Sequence, residues 1–180
     1  MKKLFLGAAI AMSSLAFAQS FGVKAGANFS NISEMEADTK VGFYGGLFMN
    51  APIAAEFSIQ PELLYNNLGA KEGDYKLNLD YISVPVMFQY NATPKFYLEA
   101  GPQFSFLISA KGKEDSKSVD VKDELNGFDF GVGLGAGYWI TPKLGVNARY
   151  VAGFTDIAKE NEGDAFKNNN FQVGLAYKFK

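Results

Sequence analysis

The sequence predicts an all-β protein: an eight-stranded antiparallel up-and-down transmembrane β-barrel following a cleaved signal peptide. Three observations carry this. Apolar residues recur at every second position in eight separate segments. The connections between those segments alternate strictly between short and long. Charged residues inside the segments fall on the face opposite the apolar stripe.

The first residues stand apart. MKKLFLGAAIAMSSLAFAQS has two lysines, an apolar run from Leu4 to about Met12, and the small-x-small triplet Ala16-Phe17-Ala18. This is the pattern of a secretory leader cut after Ala18, and its apolar run is too short for a membrane-spanning helix. Residues 1–18 are therefore expected as signal peptide and 19–180 as the barrel domain.

The segments follow in order. FGVKAGANF sets Phe21, Val23, Ala25, Ala27 and Phe29 against Lys24, Gly26 and Asn28. Residues 40–50 are ambiguous, because Val41, Phe43, Leu47 and Met49 share a face but Tyr44 and Phe48 oppose them. AEFSIQPELLYNN sets Phe57, Ile59, Leu63 and Tyr65 against Glu56, Ser58, Gln60 and Glu62. LDYISVPVMFQY aligns Ile82, Val84, Val86, Phe88 and Tyr90. KFYLEAGPQFSFLI opposes Phe96, Leu98, Phe104, Phe106 and Ile108 to Tyr97, Glu99, Gln103 and Ser105. GFDFGVGLGAGYWI places Asp129, five glycines and Trp139 on its non-stripe face. KLGVNARYVAGF opposes Leu144, Val146, Ala148 and Tyr150 to Asn147 and Arg149. FQVGLAYKFK ends the chain with Phe171, Val173, Leu175, Tyr177 and Phe179 in phase. Segments of about ten residues suit tilted transmembrane strands.

Three connections are short and contain Pro52, Pro94 and Pro142. The others, Ser30–Thr39, Asn67–Lys76, Ser109–Asn126 and Thr155–Asn170, are long and hold most of the charge. Seven charged residues lie well inside strands: Lys24, Glu56, Glu62, Glu99, Asp129, Arg149 and Lys178. A lysine or arginine facing lipid near the bilayer midplane costs about 2–4 kcal/mol. The apolar face is then expected to point outward, and these seven to form a paired network plugging a narrow interior. An ion or proton path is the functional alternative, and a soluble lipocalin-like barrel the opposite orientation.

Composition narrows the chemistry. The chain has neither cysteine nor histidine, so thiolate sites and the commonest general base are missing. Without Lys2 and Lys3 the 17 basic residues become 15 against 19 acidic ones, a net charge of −4, unsuited to nucleic acid. GVGLGA at 131–136 matches a relaxed dinucleotide fingerprint, but the strand pattern runs on through it and no helix follows. Glu56 and Glu62 lie about 20 Å apart on one strand, too far for a hydrolytic pair. The charged stretch Ser109–Asn126 lacks the spacing of a calcium loop and is expected as a solvated mobile loop. No enzyme activity, cofactor or metal is expected.

FGVKAGANFS, YISVPVMFQY, FYLEAGPQFSFL, FDFGVGLGAGYWI, ARY, GFTDI and the terminal FQVGLAYKF together resemble the PorT-like outer-membrane β-barrel proteins of the Bacteroidota. The resemblance spans the whole mature chain and implies an eight-stranded outer-membrane barrel. Its name-giving member is associated with protein secretion, and it supplies no catalytic set. The expected role is structural or interactive at the cell surface, through four outward loops, with a secretion or envelope machine as the alternative. The expected location is the bacterial outer membrane, with both termini periplasmic and lipid as partner. Gln172, Gly174, Tyr177 and Phe179 also resemble the polar-x-Gly-x-x-Φ-x-Φ signal read by barrel-assembly machinery.

Overall fold

The computed structural model describes residues 19–33, 38–73, 75–114, 117–159 and 165–179; the expected signal peptide lies outside them. Nine strands form among the described residues: β1 (Ser20–Ile32), β2 (Asp38–Pro52), β3 (Phe57–Glu72), β4 (Tyr75–Tyr90), β5 (Phe96–Glu114), β6 (Lys117–Asp120), β7 (Phe128–Trp139), β8 (Leu144–Gly153) and β9 (Asn168–Lys178). Eight of them close a ring in the order β1-β2-β3-β4-β5-β7-β8-β9 and back to β1, every neighbour antiparallel. The short β6 hangs outside the ring, paired only with the far end of β5.

Closure depends on β9. It pairs with β8 from Leu144↔Tyr177 and with β1 from Gly22↔Lys178 to Ile32↔Asn168. A closed wall leaves no unpaired strand edge, as a lipid environment demands. Two of the turns at one end repeat Thr-Pro-Lys. Thr93 Oγ1 accepts the Lys95 and Phe96 N–H groups, and Thr141 Oγ1 accepts those of Lys143 and Leu144. Proline fixes φ between them, so the short turns are set locally.

The stripes point as their polarity requires. Phe21, Leu47, Leu63, Phe88, Leu134 and Leu175 are all half exposed or more on the outer wall, while Lys24, Glu62, Glu99 and Arg149 are buried inside. Aromatic side chains ring both rims, with Phe57 against Tyr90 at the turn end and Phe106 against Phe128 at the other. In the ambiguous β2, Tyr44 and Phe48 point inward, and glycines make room for such rings. A Cβ on Gly174 would collide with the Tyr44 hydroxyl, and one on Gly137 with the Tyr97 ring.

The hairpin end departs from expectation. Asn67–Lys76 is not a loop: β3 and β4 continue through it, paired to Glu72↔Tyr75 and turning at Gly73, φ 55°. The stretch from Ser109 likewise extends β5 and folds back as β6. The polarity phase slips here. On β4, lipid-facing apolar residues run from Phe88 down to Ile82, whereas Tyr81, Leu79 and Leu77 face inward and are buried. Beyond that slip apolar residues pack inside, the arrangement expected where the outer medium changes from hydrocarbon to water.

Candidate functional site in the barrel interior

Glu62 on β3 sits at the centre of the lumen. Lys24 on β1 donates to its Oε1 at 2.7 Å, and Gln60 to the same oxygen at 2.8 Å. Arg149, reaching from β8, donates Nη1 to Oε2 at 2.9 Å and Nη2 to Oε1 at 2.8 Å. The Arg149 Nε donates at 2.8 Å to Glu99 on β5, whose other oxygen accepts from Gln89. Two cations and two carboxylates cancel, and none of the four residues is more than 3% exposed. Burying a charge costs several kcal/mol unless it is paired and hydrogen-bonded. Here each carboxylate is met by cation and amide, and four strands are tied across the lumen.

Sequence-expected partners fall elsewhere. Glu56 is a correction: β3 begins at Phe57, so Glu56 lies exposed in the preceding turn and takes no part. Lys178 meets no carboxylate among the described residues; its ammonium lies 3.9 Å from the Trp139 ring centroid, near the buried Phe48, Tyr97 and Ala176. Asp129 is buried on the far side of the cluster, where Asn168 donates to its Oδ2 at 3.1 Å and no ion pair forms among the described residues. The lumen is therefore layered, with an aromatic floor at the turn end, the four-charge cluster above it, and then amides and hydroxyls.

The sequence does not single out that amide layer, although inward parity marks its members. Gln172 donates to Asn66, Asn66 to Ser83, and Ser83 shares a hydrogen bond with Ser105. Lower down, Tyr44 donates to Asn147 at 2.9 Å.

Above the amides comes an apolar cap, which the sequence reading also misses. Ile32, Leu68, Leu79, Tyr81, Leu107 and Ile157 are buried together, with Val121, Leu125 and Phe166 packed against them. The segments carrying Leu125 and Ile157 are latched to each other. Asn126 Nδ2 donates to the Asp156 and Ala158 carbonyls at 2.7 and 3.0 Å, and Lys159 Nζ to the Asp123 carbonyl at 2.8 Å. The expectation of a freely solvated Ser109–Asn126 loop is thus corrected: its described part is a hairpin and a docked segment.

Of the residues assigned to an assembly signal, Gln172 and Gly174 belong to the interior packing just described. Tyr177 and Phe179 face outward, edge to face at 6.3 Å. The glycine-rich 131–136 stretch lies wholly within β7, followed by a turn and β8.

A family model for the outer membrane protein beta-barrel domain matches residues 17–159. The chain belongs to this family of outer-membrane β-barrels. Its location is accordingly the bacterial outer membrane. Among solved structures it is similar to Neisserial surface protein A, at 15% identity, TM-score 0.59, covering 90% of this chain and 97% of that one. It is also similar to Ail, the attachment invasion locus protein of Yersinia pestis, at 16% identity, TM-score 0.55, covering 89% and 97%. A major outer membrane protein from Thermus thermophilus gives 15% identity, TM-score 0.50, covering 90% and 100%. At these identities the likeness is one of fold. No curated protein matches the sequence.

Proposed function

We propose that this outer-membrane barrel is a closed, non-enzymatic scaffold that displays its hairpin end at the cell surface, with both termini in the periplasm. The observation that carries the reading is the Glu62–Arg149–Glu99–Lys24 cluster, which spans the lumen and leaves its charges satisfied by one another. A lumen closed in this way is a plug, so function falls to the surface the barrel presents. The long β3–β4 and β5–β6 hairpins and the latched cap provide that surface. Residues 1–18 are read as a cleaved leader. Purified monomer in planar bilayers should give no steady, defined conductance; a reproducible single-channel level would overturn the plug. Protease added to intact cells should cut within the hairpin end and spare the short turns.

The PorT-like resemblance favours a second reading, in which the barrel is one part of a secretion or envelope machine. Gentle solubilisation separates the two. A lone monomer supports the scaffold, and a stoichiometric envelope partner supports the machine.

A further inference from the structure

The wall beyond the hydrocarbon edge is basic on one side. Lys71, Lys76 and Lys113 lie in a single cross-strand row over β3, β4 and β5, and Lys111 lies one rung nearer the membrane, opposite Asn78. All four occupy the outward phase, and among the described residues none makes a side-chain hydrogen bond or ion pair. Facing rungs of adjacent strands are about 5 Å apart. Four unpaired lysines rooted this close together repel one another unless something anionic lies over them.

Their height says what that is. Lys111 follows Ile108, itself 45% exposed, on the outward face of β5. Three residues span about 10 Å of strand, less along the membrane normal because barrel strands tilt about 40°. The headgroup layer adds about 5–8 Å beyond the hydrocarbon on each side. Lysine stems of this length bend toward an interface while keeping the ammonium in the polar layer. The row of three lies one rung further out, within the same reach.

Height separates a lipid from a soluble polyanion: the lysines are rooted within reach of the headgroup layer, where leaflet phosphates are held against them and a soluble polyanion has to enter. The acids on the lysines' own rungs are Asp38, opposite Lys71, and Asp120, opposite Lys111, whose Oδ1 accepts the Lys122 N–H. Asp80, between the lysines and the hydrocarbon, is held by Tyr65 at 2.8 Å and Asn67 at 2.6 Å, with Lys40 donating to Asn67 behind it. On the opposite wall the outward residues Asn31, Asn169 and Phe154 carry no charge, and Lys167 follows singly at the next rung beside Ser33.

We infer that Lys71, Lys76, Lys111 and Lys113 form a docking face for the phosphate groups of lipids in the leaflet at the hairpin end. In the orientation proposed above, that leaflet is the outer one. The face gives the barrel a lipid-selective side and a preferred azimuth among its neighbours.

The test uses the full mature barrel folded into nanodiscs of equal phosphatidylcholine and phosphatidylglycerol, and the retained lipids counted by native mass spectrometry. Wild type should retain phosphatidylglycerol preferentially. The fourfold variant K71Q/K76Q/K111Q/K113Q should lose at least tenfold of that preference, since each lysine at an anionic surface is worth up to about fivefold and four are removed. K95Q/K143Q, at the turn end, should keep it. Heat-modifiable gel migration checks that each variant is folded. An unchanged lipid preference in the fourfold variant overturns the inference. So does soluble heparin that binds wild type through these lysines and displaces the lipid. Protease accessibility in cells reports orientation independently, so failure of the scaffold reading and failure of the lipid face are distinguishable.

Discussion

Arg149 grips Glu62 with two near-parallel hydrogen bonds, Nη1 to Oε2 at 2.9 Å and Nη2 to Oε1 at 2.8 Å, from opposite sides of the lumen. Replacing it with methionine fills similar space but strands charge: Glu62 keeps only Lys24 and Gln60, and Glu99 keeps only Gln89. Breaking one partner of a buried ion pair costs about 3–5 kcal/mol. Urea titration of the barrel in phospholipid vesicles, followed by emission of the single tryptophan, Trp139, should show Arg149→Met losing that amount. Adding Glu99→Gln to it should cost less than the two single changes summed. Strict additivity would mean that the two residues are not coupled.

Much of this arrangement is legible in the sequence. Parity alone assigns Lys24, Glu62, Glu99 and Arg149 to one face, and the cost of a charge in lipid turns that face inward. Parity fails where a strand stops, which is why Glu56, in phase with Glu62, sits instead in a turn. It also cannot say which charges meet. Strand order puts Glu99, Gly135 and Arg149 in register on β5, β7 and β8, an adjacency set by long-range pairing. The hairpin end misleads for a different reason. Leu68, Ala70, Leu77 and Leu79 continue the period of two, but in the opposite phase to the lipid-facing stripe. A reading that seeks one apolar stripe per strand ends at the slip. The slip between Tyr81 and Ile82 is itself visible in the sequence, and it reports the change of outer solvent from lipid to water.

That change of solvent is testable with two residues of similar exposure. Leu134, 67% exposed, is midway along β7 in the lipid belt, and Val119, 62% exposed, is on β6 beyond it. Leu134→Arg should lower folding stability in vesicles by about 2–4 kcal/mol. Val119→Arg should fall within about 0.5 kcal/mol of wild type, as ordinary surface changes do. Equal costs would place both residues in the same medium.

The aromatic floor depends on a missing side chain. Gly137 lies against the Tyr97 ring, which stacks at 6.3 Å on Trp139, the residue under the Lys178 ammonium. Gly137→Ala should cost about 1–3 kcal/mol, the usual toll of overpacking, and shift the Trp139 emission maximum. In a Tyr97→Leu background the same substitution should cost less than half as much. A full cost in both backgrounds would place the strain on the backbone instead.

The cap should open without the barrel unfolding. Its latch is Asn126, whose amide spans two carbonyls of the facing segment, and its buried anchor is Ile157. Asn126→Ala should speed proteolytic cutting between Phe154 and Lys167 several-fold while the urea midpoint of the barrel holds, because local opening and global unfolding are separate equilibria. A midpoint that falls in step with the cutting rate would show that cap and barrel unfold together.

The terminal strand carries two separable roles. β9 joins β1 to β8, so deleting Phe171–Lys180 exposes two unpaired strand edges in lipid. That deletion should leave unassembled periplasmic protein. It cannot by itself distinguish a broken seam from a lost assembly signal. Tyr177→Ser with Phe179→Ser does, since both side chains face outward and the β9 backbone pairing survives the change. This double variant should still fold in vitro into thin-bilayer vesicles, with heat-modifiable migration, yet assemble poorly in cells. Normal assembly in cells would refute the signal role and leave the seam as the strand's whole purpose.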